Sequence, residues 1–412
     1  MSRTLVIVGS LAAAPLASGQ ASLRGVGCFP DGTFSQLEAV SDRGDGYAWA
    51  DRRPSSSISY TRAFRWNEST GMSDLGSIVP HPRAPSDVYA VTPDGQTVAG
   101  HCIVEQCYVS AAWTAGGGWV ALASPQDYCD SRVKWVSPNG NLFGGSILRP
   151  HGSGSLRAGC VWRSGQVEFL PEFVETLGAA SDGSVVLGRS LYYGQSMTWR
   201  PGEEYRPLPA LPGQVLVFGE AITPDGSKVV GSSGIEACVW THNTPRALPR
   251  IFGPDWHAAE AISDDGGVIG GAAGYSGLSN AVVWAPLRPA RYVVDVLRDA
   301  GADVSRWHLQ RVVAVSANGR YIGGRGRYFL DPQMATSREE GWVAALPEGF
   351  GCYANCDGST SSPVLTVADF TCFQTRFASG DPDANCDAST AIPILNINDY
   401  LCFISRFAAG CP

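Results

Sequence analysis

Short apolar runs separated by polar turn residues recur along most of this chain. Residues 221–248 show the pattern, with an apolar start, Pro-Asp-Gly at 224–226, Val-Val-Gly at 229–231 and Ala-Cys-Val-Trp at 237–240. Runs rich in β-branched residues between Asp-Gly and Ser-Gly turns predict β-strands. Asp-Gly between two such runs predicts a hairpin, because the tight turn needs a positive φ that glycine adopts at little cost.

The pattern occurs seven times. Its turn segments begin at Ala39, Ala90, Val136, Ala179, Ala221, Ala261 and Ala314. The third run of each repeat carries one tryptophan: Trp66, Trp113, Trp162, Trp199, Trp240, Trp284 and Trp342. From Gly95 onward the turn glycines lie roughly 40–50 residues apart, which is the period of a four-stranded propeller blade. We expect the tryptophans to pack between blades.

A fourth short run follows each of the first six tryptophans but is missing after Trp342. A seventh candidate, residues 23–27, lies at the other end of the repeats. An array of radial sheets must cover its open strand edges, because unpaired edges promote aggregation. The sequence therefore predicts a mainly β fold, a seven-bladed propeller over residues 20–347 closed by the N-terminal strand. An open β-solenoid or a ring of six or eight blades is the alternative.

Residues 62–66 (Arg-Ala-Phe-Arg-Trp) and 73–76 (Ser-Asp-Leu-Gly), with the repeated Ala-Val-Ser-x-Asp-Gly turn, resemble the HAF-type extracellular repeats of bacteria. The resemblance covers about residues 23–347, and later repeats depart from it, as at Cys238-Val239. It implies a secreted repeat protein and supplies no catalytic residues.

A second repeat occupies residues 348–412. The copies beginning at Tyr353 and Asp383 match at an offset of thirty residues, as in Asn355 and Asn385. Each copy is a polar loop followed by a run with aromatic residues at helical spacing. These aromatic residues are Phe370, Phe373 and Phe377 in the first copy and Tyr400, Phe403 and Phe407 in the second. A small, α-helical, duplicated EF-hand-like module is predicted.

Both loops carry oxygen donors at the spacing that Ca²⁺ requires, because alternate loop residues turn inward around the ion. Allowing three extra residues per loop, the predicted ligands are Asn355, Asp357, Ser359, Thr366 and Asp369, and Asn385, Asp387, Ser389, Asn396 and Asp399.

The module resembles type I dockerins, in particular the GC-type modules of planctomycete-like bacteria. Gly351-Cys352 and Gly410-Cys411-Pro412 frame it in the same manner. The resemblance implies Ca²⁺ and a cohesin-like or cell-surface protein as partner. The loops exceed the family's length, Thr360 and Thr390 replace the turn glycine, and each loop has only two carboxylates. Affinity for Ca²⁺ is therefore expected to be weak, and a metal-free module held by disulfides is the alternative.

The chain has 12 cysteines, six on each side of residue 350, and none has the CxxC spacing of a zinc ribbon or a thioredoxin. They predict disulfides and an oxidising compartment. In the tail, symmetry equates Cys356 with Cys386 and Cys372 with Cys402. That would leave Cys352 and Cys411 to join the ends, although six cysteines allow many connectivities.

Residues 1–19 have the pattern of a secretory signal peptide, with Arg3, an apolar run from Leu5 to Leu16 and small residues at 17–19. A secreted or cell-surface protein is therefore expected. No other run is long enough to span a membrane. The net charge of −8 disfavours nucleic acid and anionic membranes as partners.

Known catalytic motifs are missing. The six histidines form no metal-ligand spacing and are predicted to lie in loops, and no GxSxG elbow or P-loop is present. The carboxylates of Glu220, Glu260, Asp264 and Asp265 could meet near the ring axis. The sequence favours a protein that is not an enzyme, whose propeller binds a glycan or protein and whose tail attaches it to a partner. The alternative is a propeller glycosidase or lyase that acts on polysaccharide, which a cluster of acidic residues with perturbed pKa values in the channel would favour.

Overall fold

The fold is given by a computed structural model that describes residues 20–411, apart from 56–57, 126–127, 152–153, 192–194, 332, 361–362, 388 and 390–391. The predicted signal peptide, residues 1–19, lies outside the described residues.

Seven four-stranded antiparallel sheets follow one another along the chain and form a seven-bladed propeller, as predicted. The first strand, β1 (Ser22–Gly25), belongs to the last blade. Blades 1–3 are β2 (Ala39–Val40), β3 (Gly46–Ser55), β4 (Ile58–Asn67), β5 (Gly71–Asp74); β6 (Ser86–Val91), β7 (Thr97–Val104), β8 (Cys107–Thr114), β9 (Gly118–Ala121); and β10 (Ser131–Val136), β11 (Leu142–His151), β12 (Gly154–Arg163), β13 (Gln166–Leu170).

Blades 4–7 continue the same order. They are β14 (Phe173–Ala179), β15 (Val186–Ser190), β16 (Ser196–Trp199), β17 (Arg206–Pro207); β18 (Val217–Ile222), β19 (Lys228–Ser233), β20 (Glu236–Thr241), β21 (Thr244–Ala247); β22 (Trp256–Ile262), β23 (Ile269–Tyr275), β24 (Leu278–Trp284), β25 (Arg291–Tyr292); and β26 (Trp307–Val315), β27 (Tyr321–Phe329), β28 (Ser337–Ala345).

The N-terminal strand closes the ring. β1 pairs antiparallel with β28, with Ser22 opposite Ala345 and Gly25 opposite Trp342, and so supplies the fourth strand of blade 7. Leu23 is buried in the same apolar cluster as Trp342. Closure by the N-terminal strand is confirmed, and it leaves neither end of the repeat array with a free edge.

The repeated tryptophans lie on the third strand of each blade and are mostly buried. The indole nitrogens of Trp162, Trp240 and Trp284 each donate a hydrogen bond to a backbone carbonyl, of Ala123, Pro209 and Pro249, at 2.6–2.8 Å. Burial of such a large ring together with a satisfied N–H stabilises both its packing and the loop that it contacts.

The fourth strand of blade 6 is shorter than predicted. The apolar run at residues 292–296 predicts this strand, but β25 ends at Tyr292 and the chain continues as helix α1 (Val293–Asp299). Val293, Val296 and Leu297 are buried on one face of α1, at helical rather than alternating spacing. The apolar cluster shared with blade 7 buries that face and favours the helix.

The C-terminal tail contains helix α2 (Val367–Ala378), a 3₁₀ turn (Pro382–Ala384) and helix α3 (Ile397–Ala409). The rings of Phe373 and Phe403 stack with their centroids 4.0 Å apart and both are fully buried. Disulfides join Cys356 to Cys372, Cys386 to Cys402 and Cys352 to Cys411. Cys352 and Cys411 have no counterpart in the repeat, and their disulfide joins the two ends of the tail as predicted.

The tail packs against the turn side of blades 5 and 6. Leu287 of blade 6 is part of the tail's aromatic cluster, and Arg376 donates a hydrogen bond to its carbonyl oxygen at 2.6 Å. Arg246 of blade 5 pairs with Asp383 of the tail.

The cysteines of the propeller differ from expectation. Cys107 and Cys129 form a disulfide, but Cys28, Cys102, Cys160 and Cys238 are free thiols. The last three are buried, where they pack as small apolar side chains. Four disulfides in all fit an extracellular or periplasmic protein. None of the helices in the described residues is long and apolar enough to cross a membrane.

Candidate active site in the propeller channel

The inner strand of each blade surrounds the channel, and in six blades it is interrupted by a β-bulge at one repeated position. The bulged residues are Tyr89, Lys134, Leu177, Glu220, Glu260 and Val313. In blade 1, Glu38 has the equivalent place, directly before the alanine that begins the turn segment. A bulge changes the direction of a side chain, and bulges are common beside active sites.

Three sets of corresponding inner-strand positions lie along the channel: two residues before the bulge, at the bulge, and two residues after it. The bulge positions form the middle ring. The turn-side ring is apolar: Val40, Val91, Val136, Ala179, Ile222, Ile262 and Val315. The outer ring, at the opposite mouth, is Gln36, Asp87, Arg132, Glu175, Phe218, Ala258 and Arg311. Six of the seven turn-side residues line a cavity of about 190 Å³.

Acids and arginines of neighbouring blades pair around the middle ring. Arg311 Nε lies 3.2 Å from Glu260 Oε1, which links blades 7 and 6. Arg189 of blade 4 lies 3.2 Å from Glu175 and 3.5 Å from Glu220 of blade 5.

Blade 7 is linked to blade 1 by the pairing of Arg325 with Glu38. With the three ion pairs above, four acids and three arginines are paired around one side of the channel.

Glu260 is the most perturbed of these acids. Burial raises the pKa of its carboxyl from 4.5 to about 7, against the opposing charge of Arg311 and with a further increase from Glu220. Burial also raises the pKa values of Glu220 and Glu38. The Glu260 side chain remains 17% exposed, and that of Arg311 43% exposed. A partly exposed carboxyl with a pKa near neutrality suits general acid or base chemistry.

Several polar atoms of the ring have no hydrogen-bond partner among the described residues. They are the acceptor Glu260 Oε1 and the donors Arg189 Nε and Arg325 Nε. Arg311 approaches Glu260 Oε1 closely but without hydrogen-bond geometry. Buried polar atoms are usually paired, so exceptions of this kind are places where a ligand can bind.

The other side of the ring is a stack of cations and aromatic rings. Lys134 Nζ lies 4.4 Å from the ring centre of Tyr89, which stacks on His101 at 5.2 Å. The edge of His101 meets Tyr108 at 4.8 Å, and Arg132 covers Tyr108 at 4.2 Å. The stack holds Lys134 at the channel wall. His101 lies on β7, His151 on β11, His257 on β22 and His308 on β26, so the prediction that the histidines lie in loops is wrong for these four.

The structure separates the four carboxylates that the sequence suggested. Glu220 and Glu260 lie in the middle ring. Asp264 lines the turn-side cavity, where burial, with Asp42 and Asp265, raises its pKa to about 6. Asp265 is a turn former that accepts hydrogen bonds from Ser263 Oγ at 2.6 Å and Gly267 N at 2.8 Å.

Sequence reasoning missed Glu38, the three arginines and Lys134. A signal was present for Glu38, Glu220 and Glu260, because each directly precedes the alanine of its turn segment. The arginines carry no comparable signal, since their partners belong to other blades.

In the tail, the predicted loop residues are drawn together by hydrogen bonds. Asn355 Nδ2 donates to Ser359 O at 2.7 Å, Ser359 N to Asp357 Oδ1 at 2.8 Å, and Asp357 N to Asp369 Oδ1 at 3.1 Å. Thr366 is the N-cap of α2 and forms a capping box with Asp369. The second loop repeats this arrangement with Asn385, Asp387, Ser389, Asn396 and Asp399.

Each loop also contains a buried amide oxygen without a hydrogen-bond partner among the described residues, Asn355 Oδ1 and Asn385 Oδ1. The hydroxyl oxygen of Ser389 is also buried without a hydrogen-bond partner among these residues. A bound cation would satisfy such oxygens, so the donor set fits a hard metal ion, with two carboxylates per loop.

Comparisons with known proteins identify the fold alone. No protein-family model matches the chain, and no curated protein matches it by sequence. An oligogalacturonate lyase in complex with manganese is similar at 12% identity and a TM-score of 0.53, over 81% of this chain and 95% of that one. The oligogalacturonate lyase of Vibrio parahaemolyticus is similar at 10% identity with the same TM-score, over 81% of this chain and all of that one.

A TolB structure from Acinetobacter baumannii is similar at a TM-score of 0.40 and 14% identity, over 58% of this chain. This chain spans 60% of that TolB structure. The resemblances to HAF repeats and to dockerins gain no support from these comparisons and stay predictions.

The prediction that this protein is not an enzyme is corrected by these findings. Oligogalacturonate lyase, an enzyme, has a similar fold along its whole length, so the propeller gives no ground for excluding catalysis. The described residues contain no group of three His, Cys, Asp or Glu that could hold a metal ion. The chain is thus a seven-bladed propeller of the same overall fold as oligogalacturonate lyase, with a helical tail.

Proposed function

We propose that this protein is a secreted enzyme that cleaves a short uronate-bearing oligosaccharide, with the middle ring as its active site. Glu260 carries the proposal. Its carboxyl has a pKa of about 7, its Oε1 lacks a hydrogen-bond donor, and it lies 3.2 Å from the half-exposed Arg311. A base of this strength beside a fixed guanidinium provides the two groups that β-elimination from a uronate requires.

In the proposed reaction, Arg311 binds the carboxylate of the uronate and stabilises the charge that develops on it. Glu260, ionised in part at neutral pH, takes the proton from the carbon next to that carboxylate. The released electron pair forms a carbon–carbon double bond as the neighbouring C–O bond breaks. Glu220, whose pKa is also raised by burial, gives a proton to the leaving oxygen. The products are one unsaturated sugar and one new sugar end.

The charge of the protein limits the substrate to a short oligosaccharide. The net charge of −8 repels a long polyanion from the outer surface, whereas the channel offers guanidinium groups at close range. The turn-side ring is apolar, so the substrate would enter through the opposite mouth.

Hydrolysis is a second candidate, because Glu220 and Glu260 lie in adjacent blades and both have raised pKa values. Glycosidases also use two carboxyl groups, one of them with a raised pKa. The two reactions differ in their products, since only elimination gives a double bond that absorbs ultraviolet light.

The test is a screen of the secreted protein on uronate and neutral oligosaccharides, with ultraviolet absorbance and reducing ends recorded together. Glu260→Gln should lower the rate by about 10²–10⁴-fold, the usual contribution of a general base. Glu236→Gln is the matched control, because Glu236 also pairs with an arginine, Arg250 at 2.7 Å, but lies on the third strand of its blade. Equal activity of wild type and Glu260→Gln would refute the proposed site.

We also propose that the tail loops bind Ca²⁺ through Asn355, Asp357, Ser359, Thr366 and Asp369 and their counterparts in the second loop. The unpartnered buried oxygens of Asn355 and Asn385 support this. Addition of Ca²⁺ to chelator-treated protein should raise the melting temperature of the tail. Identical melting and backbone spectra with and without chelator would refute it.

Attachment to a cohesin-like or cell-surface protein would use helix α3. Ile397, Leu401 and Ile404 form a stripe on its outer face and are 66%, 56% and 40% exposed. An exposed apolar stripe of this kind is typical of a protein–protein contact. Pull-down with wild type and with Leu401→Asp from the source organism's surface proteins tests this, and equal capture by both would contradict it.

A further inference from the structure

The two tail loops have the same internal hydrogen bonds, but only the first is in contact with a propeller arginine. Arg288, in the loop between β24 and β25, donates hydrogen bonds through Nη2 to Asn355 O at 3.0 Å and Gly349 O at 3.3 Å. Its side chain also lies beside Gly358, where an added Cβ would be 3.4 Å from Arg288 Nε. A guanidinium therefore covers the loop that runs from Asn355 to Ser359.

The charge of Arg288 acts on both carboxylates of this loop. The guanidinium is partly buried, and the negative charges of Asp357 and Asp369 offset part of the hydration that it loses. Arg288 Nε remains without a hydrogen-bond partner among the described residues, as does Asn355 Oδ1 in the same loop.

The second loop has no such cation. Within the described part of the chain, no arginine donates a hydrogen bond to residues of this loop, and three neighbouring arginines have other contacts. Arg376 pairs with Asp381 at 2.7 Å, Arg246 pairs with Asp383, which precedes the loop, and Arg406 lies 5.3 Å from the ring centre of Tyr353. Asn385 Oδ1 and Ser389 Oγ are buried there without partners.

We infer that Arg288 takes the place of the cation at the first loop, so that only the second loop binds Ca²⁺ while the tail is docked on the propeller. This inference rests on the proposed calcium loops and is independent of the proposed enzyme activity. Ca²⁺ and a guanidinium a few ångströms apart repel each other, and even in water this repulsion weakens binding by about tenfold or more. Ca²⁺ could occupy the first loop only after Arg288 has moved away, which would also break two contacts that hold the tail in place.

Calorimetric titration of chelator-treated full-length protein with CaCl₂ tests this. Wild type should show one site, and Arg288→Gln should show two, with the first loop gaining about tenfold or more in affinity. Arg288→Lys, which keeps the charge, should behave as wild type. Arg246→Gln is the matched control, because it also removes a propeller arginine that contacts the tail but leaves both loops unchanged.

Two further variants assign the site without altering the propeller. Asp387→Asn should abolish the wild-type binding, whereas Asp357→Asn should leave it unchanged. Two equivalent sites in wild type, one site in Arg288→Gln, or loss of binding in Asp357→Asn would each overturn the inference. Absence of binding in every protein would overturn the calcium proposal together with it, and the activity assay of the channel would be unaffected.

Discussion

The pKa of Glu260 can be tested through the stability of the protein. In the folded protein this carboxyl has a pKa of about 7, against 4.5 for an ordinary glutamate. The folded state therefore binds the proton more tightly than the unfolded state does. The corresponding stabilisation is fully present below pH 4.5 and is lost as the pH rises towards 7. One pKa unit corresponds to about 1.4 kcal/mol, so the total change is about 3 kcal/mol.

Glu260→Gln removes this titration and keeps the shape of the side chain. The variant also leaves Arg311 without its counter-charge, but that effect is the same at every pH in this range. Urea unfolding of wild type and variant at intervals from pH 4 to pH 8, with disulfides intact, gives the difference in unfolding free energy directly. We expect wild type to lose about 3 kcal/mol relative to the variant between pH 4.5 and 7 and little above it. A difference that stays constant across this range would show that Glu260 is an ordinary glutamate and would remove the main support for its role as a base.

Three further predictions concern the fold. Phe373→Ala should destabilise the tail by about 3–5 kcal/mol, because the ring is fully buried and stacked at 4.0 Å on Phe403. Urea unfolding followed by tail-specific proteolysis measures this destabilisation. A change below about 1 kcal/mol would contradict the prediction. Replacing Cys352 and Cys411 by serine should lower tail stability by about 4 kcal/mol, because their disulfide spans 59 residues; an unchanged melting curve under oxidising conditions would show that the bond contributes little. Leu23→Asp should open the ring at blade 7, because Leu23 lies on the closing strand and is only 6% exposed; faster hydrogen exchange of β28 than of the other third strands is expected, and uniform protection would contradict it.

The sequence repeats predict most of the propeller because every blade has similar turn and strand residues at corresponding positions. Turn glycines with positive φ, such as Gly95 at 71° and Gly226 at 70°, lie where the Asp-Gly signals stand in the sequence. The missing fourth run after Trp342 and the extra run at Leu23 together gave the closure, since an unpaired edge must be covered.

Features that depend on contacts between blades could not be predicted in the same way. Arg311 and Glu260 are about fifty residues apart in sequence, and no local pattern indicates that they meet. The helix at Val293–Asp299 forms because blade 7 supplies an apolar surface for Val293, Val296 and Leu297. The apolar runs that precede this helix in the sequence do not indicate that blade 7 offers such a surface.

The exclusion of catalysis failed for a related reason. It relied on local motifs, whereas the candidate site is built from one residue per blade and becomes visible only once the ring is closed. The raised pKa of Glu260 is a property of that closed ring, since burial by the neighbouring blades is its first cause.

The most direct test of the account is the reaction of the purified secreted protein with short uronate oligosaccharides, followed by ultraviolet absorbance. We expect an unsaturated product from wild type and from Glu236→Gln, and a rate lower by at least about 10²-fold from Glu260→Gln. Hydrolysis products without absorbance would support the second candidate reaction at the same site. No turnover by a folded wild-type protein, or equal rates from wild type and Glu260→Gln, would contradict the central claim.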